Sequence, residues 1–440
     1  MSTESDSESA IPGKEFFLPT KRQVWPRKDG SLKEIPADQD DFPHDQVTKY
    51  TQSQKWQWSG QRVFFFCDLH ADADAFLLSL VASGGVVRTG KGDGDFKLTT
   101  MAKEALFIVG GDCFDKGPST LRLLDVIYQL KQKGAKLILL AGNHDVRTYL
   151  GVFYAETKEP LFDHLFVRLG KKSAPLLKEI YQRFVSTAEA PNKVNGPNSA
   201  VAKAILYPDE NWAAKFPGVA KDWMNRPKLA KEIRRVKEKS IQFEQELDEL
   251  DLSFSQAFLA IEKFKQLFLQ PGGKYFWFYD SMELVHREGS YLFLHAGLDD
   301  ALADQISKGI AGVNREFRQA LIDDPFSLYH GIIGNAFRTK YRGPDDDFTS
   351  AGADDLHEAG IHAVVHGHRN NGYGQRVLLR RGMMNFECDT TLDRNTRLQE
   401  GLTGIGTAVV IFEPDGTVQG ISRDYPYIKV FNPGYSGGAR

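Results

Sequence analysis

The chain has 440 residues, 41% of them hydrophobic and 26% charged, with Lys+Arg 55 against Asp+Glu 58 for a formal net charge of −3. This is ordinary globular usage, which excludes a collagen-like or wholly disordered chain, and at this length a large core can form without disulfide or zinc staples. The lack of a basic excess argues against dedicated nucleic-acid binding.

Three cysteines occur, Cys67, Cys113 and Cys388, and none forms a CxxC pair. That usage fits a reducing compartment. The N-terminus, MSTESDSESA, is polar and acidic and lacks the layout of a signal peptide. No apolar run approaches the roughly 18 residues of a membrane span. A cytoplasmic protein with no membrane association is expected.

Residues 1–55 are rich in Ser, Asp, Glu, Gln and Pro without sustained apolar period, and read as a flexible N-terminal arm. Its aromatics Phe16, Phe17 and Trp25 offer a way for part of it to pack on the body. The remainder, 56–440, reads as one domain. Val63–Phe66 is a short apolar, β-prone run that stops at Cys67-Asp68-Leu69-His70. Leu106–Val109 stops at Gly110-Gly111-Asp112, and a helix is expected from Leu121 to Lys133. Leu137–Leu140 stops at Ala141-Gly142-Asn143-His144. Between about 155 and 275 the pattern changes. Leu229, Ile233, Val236, Phe243, Leu247, Leu250, Phe254, Phe258, Ile261, Phe264 and Phe268 recur at helical steps among charged residues. This predicts an inserted helical cap of one or two amphipathic helices ending at Pro271-Gly272-Gly273. A partner-binding coiled-coil arm, which would give the insertion a protein partner, is the sharper alternative, but the phase is not held well enough to prefer it. Tyr291–Leu294 then stops at His295-Ala296-Gly297, and His362–Val365 at His366-Gly367-His368. Further strands are expected at Met383–Phe386 and Ala408–Phe412.

Buried strands that each end in Asp, His or Asn are the main signal, because ligands in α/β sheets bind beyond the carboxyl ends of the strands. Asp68, His70, Asp112, Asn143, His295 and His368 together offer carboxylate, imidazole and amide oxygen. That mixture suits Mn, Fe or Zn, and it exceeds the four donors of one tetrahedral site. Two divalent metal ions sharing one carboxylate, Asp112, is the economical solution. Each residue alone is weak: Asp-x-His can be a turn, Gly-Asn-His-Asp a tight turn, His295 a core histidine. In order at five strand ends they reinforce one another. His164, His286, His330, His357 and His362 lack a partner motif and read as structural or exposed. The cysteines lack a phosphate-cradling loop ending in Arg and read as core positions.

Asp68-Leu69-His70, Gly111-Asp112-Cys113-Phe114-Asp115-Lys116-Gly117, Gly142-Asn143-His144-Asp145, His295-Ala296-Gly297 and Gly367-His368 resemble the ordered signature of calcineurin-like metallophosphoesterases. The spelling is most similar to the branch with phosphoprotein phosphatases and symmetrical diadenosine tetraphosphatases. The resemblance spans about 62–150 and 285–395. It implies an α/β metallo-dependent phosphatase fold, with two packed mixed β-sheets flanked by helices and, here, the inserted helical cap. It implies that Asp68, His70 and Asp112 hold the first metal, and that Asp112, Asn143, His295 and His368 hold the second. His366 is an alternative ligand if the pair is read as His-x-His. A hydroxide bridging the metals would attack phosphorus, His144 would be general acid and Asp115 would orient it. Asp389 would support the site from behind. For the phosphate oxygens, Arg147, Lys116, Arg338, Arg342 and Arg369 are candidates. Lys116 stands where many relatives have Arg, Ala141 where protein phosphatases have Arg, and Ala71 where they have Gly. The expected activity is hydrolysis of phosphomonoesters, with phosphoserine or phosphothreonine as one substrate class. Nucleotide or dinucleoside polyphosphate hydrolysis is the alternative, and a non-catalytic scaffold the third reading.

Overall fold

The computed structural model describes residues 18–25, 44–186, 196–337 and 348–433. Fifteen strands are named among them: β1 (Arg22–Val24), β2 (Val63–Phe66), β3 (Val86–Arg88), β4 (Phe96–Leu98), β5 (Leu106–Val109), β6 (Lys136–Leu140), β7 (Met282–Glu283), β8 (His286–Glu288), β9 (Tyr291–Phe293), β10 (Ala363–His366), β11 (Arg376–Arg380), β12 (Met383–Glu387), β13 (Ala408–Phe412), β14 (Val418–Ser422) and β15 (Ile428–Phe431). They form an eight-stranded sheet in the order β1-β15-β14-β13-β2-β5-β6-β7, a five-stranded sheet in the order β11-β12-β10-β9-β8, and the small ribbon β3-β4. Both large sheets are mixed. Strands β2, β5, β6 and β7 run parallel, and so do β9, β10 and β12, while β13 crosses to β2 antiparallel.

The unbroken apolar run of β2 follows from burial on both faces. Val63 and Phe65 point into the core between the sheets, where Phe65 meets Phe293 at 5.6 Å between ring centroids. Phe412 closes the same layer against Tyr291 at 4.8 Å. Phe64 and Phe66 point the other way, to the core shared with the flanking helices. Those helices include Ala73–Ala82 and Thr120–Gln132, the second capped by Ser119, whose side chain accepts from Arg122 N. The alternation is the ordinary period of a strand, read on two apolar surfaces.

The insertion is helical as expected. Arg226–Glu249 starts with Pro227 in its first turn behind the cap Asn225, and Phe254–Phe264 starts with a Ser253/Gln256 capping box. Leu229, Val236, Phe243 and Leu247 are buried, with Phe243 edge-on to Phe166 at 5.5 Å. Among the described residues this part of the apolar stripe is therefore covered within the chain.

The expectation of a flexible arm over 1–55 is corrected for its described parts. Strand β1 adds in parallel to β15, Trp25 is buried edge-on to Phe386 at 5.7 Å, and in the helix His44–Ser53 Val47 is buried. Tyr50 donates from its hydroxyl to the carbonyl of His362 at 2.6 Å. Apolar side chains spaced too widely to show a period still find the sheet edge.

Candidate active site

The carboxyl ends of β2, β5, β6, β9 and β10 meet at one place, so both large sheets contribute. Asp68, His70, Asp112, Asn143 and His295 are buried there, and His144 is 8% exposed. Backbone shape is unusual at this point. Asp68, His70, Ala71, Asp112, Asp115, Lys116 and His368 all have positive φ. Side chains with Cβ pay strain there, and such strain gathers where surrounding structure over-determines a site. Ala71, with φ 55°, shows that the expected glycine position does demand a left-handed turn. Close approach also requires glycine nearby: a Cβ on Gly367 would lie 1.9 Å from Asp68 Oδ2, and one on Gly142 would lie 2.0 Å from Asp112 N.

Two donor sets share a residue. Asp68, His70 and Asp112 form one group whose ligand atoms lie within 4.8 Å of one another, and Asp112, His295 and His368 form the other. His70 turns Nδ1 to Phe114 O at 3.1 Å, leaving Nε2 3.7 Å from Asp112 Oδ2. His295 turns Nδ1 to Gly110 O at 2.9 Å, leaving Nε2 3.4 Å from Asp112 Oδ1. A carbonyl on one ring nitrogen fixes the tautomer that presents the other nitrogen as a ligand. Burial pushes the pKa of both imidazoles down, with Lys116 adding to the effect at His70, so both stay neutral and able to ligate.

Acid crowding completes the fit to a cation. Burial first, then Asp389 and Asp112, push Asp68 well above the usual carboxylate range. Asp389 is itself raised to about 7, chiefly by burial. A divalent cation relieves such a cluster, and hard oxygens with neutral imidazoles are the donors that Mn, Fe or Zn accept. Asn143 lies between the histidines, and its amide is best satisfied with nitrogen toward His368 Nδ1 at 2.8 Å and His295 Nε2 at 3.2 Å. A cation there would be met by the amide oxygen after rotation of the same group.

His144 Nδ1 stands 2.7 Å from Asp115 Oδ2, and its Nε2 is 3.9 Å from Asp112 Oδ2. The backbone N–H of His144 donates to Asp112 Oδ1 at 2.8 Å, so the imidazole starts from the edge of the donor set. Lys116 Nζ lies 2.8 Å from His70 Nε2, within the acid cluster. Arg147, one helical turn beyond Asn143, has its Nε buried without a partner among the described residues.

His368, not His366, joins the donor groups. His366 stays in β10, with Nδ1 at 3.0 Å from Gly367 O, and acts electrostatically on Glu387. His366 lies outside both groups, and at His368 the backbone turns left-handed, φ 69°. Arg369 turns to Glu387 at 3.7 Å, alongside Arg376 and Arg380, and is drawn there by a buried carboxylate on the adjacent strand. Arg338 and Arg342 lie outside the described residues.

Two supports were not assigned roles from the sequence. Asp145 accepts from the backbone N–H groups of Asp112, Cys113, Phe114 and Gly142, which clamps the Asp112 loop against the next one. Its place in Gly142-Asn143-His144-Asp145 was the only available signal. Phe114 plugs into an aromatic nest of Phe264, Phe268, Phe278 and Tyr279 from the insertion and its exit, at 5.4 to 6.4 Å. Tyr279 also donates to Asp145 O at 3.0 Å. The insertion thereby buttresses the loop that carries Asp112 and Asp115.

Among solved structures, a cold-active protein-tyrosine phosphatase of a psychrophile Shewanella sp. is similar at 16% identity over 87% of this chain and 84% of that one, with a TM-score of 0.42. A protein serine/threonine phosphatase from Saccharomyces cerevisiae is similar at 11% identity over 88% of this chain and 86% of that one, with a TM-score of 0.35. No curated protein matches the chain by sequence. Residues 62–231 match the model of the calcineurin-like phosphoesterase family, a segment that holds Asp68, His70, Asp112, Asp115, Asn143 and His144, with His295 and His368 beyond it. Over that segment the chain is similar to calcineurin-like phosphoesterases.

Proposed function

We propose that this chain hydrolyses phosphomonoesters at a dinuclear centre, with Asp68, His70 and Asp112 as one ligand set and Asp112, Asn143, His295 and His368 as the other. The observation that carries this reading is the single carboxylate shared by two donor groups, with a His–Asp pair at its edge. Divalent cations held there would supply Lewis acidity toward the phosphoryl oxygens and bring hydroxide within reach near neutral pH.

The protein's own groups supply the rest. Asp115 accepts from Nδ1–H of His144 and orients the ring, so that Nε2 faces the donor set, where a protonated ring would give its proton to the leaving oxygen. Such a positioned acid contributes about 10²–10⁴-fold. Arg147 offers a guanidinium from the Asn143 helix with Nε uncommitted, suited to a phosphoryl oxygen. Asp145 and Phe114 keep the Asp112–Asp115 loop in its strained form. Phosphomonoesters of alkyl alcohols, phosphoserine and phosphothreonine among them, are the substrate class we assign, since a poor alkoxide leaving group gains most from a proton donor.

The test is turnover of p-nitrophenyl phosphate and of a phosphoserine peptide by protein loaded with Mn, Fe or Zn. Hydrolysis of both supports the reading, with metal content by elemental analysis approaching two ions per chain. Absence of turnover with every metal would overturn it.

A further inference from the structure

The insertion brings charge as well as aromatic packing toward the centre. Its short helical segment Val167–Ser173 is kinked at Gly170, with φ 66°. Lys239, from the long helix Arg226–Glu249, folds across that kink. A Cβ on Gly170 would lie 2.7 Å from Lys239 Nζ, and the same Nζ is 3.5 Å from Leu169 O. The left-handed glycine therefore makes room for the lysine.

Arg168, on the same segment, is matched by Glu232 in a buried pair. Lys172 and Lys239 have no such acid: among the described residues neither makes an ion pair. Lys172 is solvent-facing and acts electrostatically on Asp115, Lys116, Arg147 and Asp112. Lys239 is half-buried and acts on Arg168, Lys172, Asp115 and Arg147. Burial and the facing cations push Lys239 down to about 8. Asp115 is the acid these lysines share, and it is already bonded to His144. Arg147 adds a buried Nε that has no partner among the described residues. Gathering like charges in this way disfavours the fold and favours an anion that relieves it.

We propose that Lys172 and Lys239, adjoining Arg147, form a second anion subsite beside the hydrolytic centre, and that the substrate carries a second phosphoryl group seated there. The role given to that group rests on the phosphatase reading above; the subsite itself does not. Two ammonium groups suit a phosphate dianion, because each is a mobile point charge with three donors. The second phosphoryl could adjoin the first, as in an anhydride, or be separated from it on one carbon frame.

The probes are ADP for adjacent phosphates, fructose bisphosphate for separated ones, and p-nitrophenyl phosphate as the single-phosphate reference. Binding by calorimetry and turnover are both measured on the metal-loaded full chain. In the double variant Lys172→Gln/Lys239→Gln, Kd for at least one two-phosphate compound should rise about tenfold or more, as expected for lost charged hydrogen bonds. Turnover of p-nitrophenyl phosphate should stay within about twofold, because the subsite is separate from the reacting groups. Lys172→Arg/Lys239→Arg should keep most of the affinity. The compound affected tells adjacent from separated phosphates. An equal loss on the single-phosphate reference, or unchanged binding of both two-phosphate compounds by a variant of native melting temperature, would overturn the subsite. Lysine-dependent binding by a protein that hydrolyses none of the three would support the subsite and sink the phosphatase substrate reading.

Discussion

Asp115→Asn tests the proton-donor assignment most directly. The substitution keeps the shape of the side chain and removes its charge. In the native chain the Asp115 and His144 side chains meet at 2.7 Å and are only 13% and 10% exposed, so solvent screens the pair weakly. A charge-assisted hydrogen bond of this kind contributes about 1.5–3 kcal/mol net. If that bond is made in the transition state, losing it slows the step by about ten- to a hundredfold. Asp115 is in neither donor group, so metal content should not change. The assay is kcat for p-nitrophenyl phosphate, whose leaving group needs little protonation, beside phenyl phosphate, whose leaving group needs more. The loss should be larger for phenyl phosphate, with elemental analysis unchanged. Equal losses on the two esters, or loss of metal, would refute the reasoning: Asp115 would then be a structural support.

Asp112→Asn removes the carboxylate common to both donor groups, so bound metal and turnover should both fall to background, read by elemental analysis and rate. Phe114→Ala opens a cavity in the aromatic nest of a fully buried ring and should cost about 3–5 kcal/mol by denaturant unfolding. It should also slow turnover, since the loop it anchors holds Asp112 and Asp115. Chelation should lower the melting temperature, and added metal should restore it, because the crowded acids Asp68 and Asp389 lose their counter-charge. His286 has its pKa raised to about 9: burial lowers it, but Glu283 and Glu288 outweigh that. Its folded value is above the unfolded one, near 6.5. The stability it contributes is therefore full below about 6.5 and is lost as pH rises toward 9. Urea midpoints across that range should fall in the native protein, and His286→Gln should flatten the slope.

The buried strands and the residues that end them were legible in the chain's own pattern. Val63–Phe66, Leu106–Val109 and Tyr291–Phe293 are unbroken apolar runs because both faces are covered, and a chain leaving such a strand exposes its next polar residues at one edge. The amphipathic insertion was legible for a similar reason, since burial on one helical side writes a period into the chain. Tertiary structure decided what depends on neighbours far along the chain. The edge strand β1 pairs with β15 across some 400 residues and has no apolar period of its own, with burial only intermediate at Gln23. The left-handed backbone turn at His368 and the pairing of Arg369 with Glu387, a carboxylate on another strand, leave no local pattern. The clamp by Asp145, the nest around Phe114 and the lysines over Gly170 all join separate segments. Local pattern records which side of an element is buried; which charges and rings then face one another is set by packing in three dimensions.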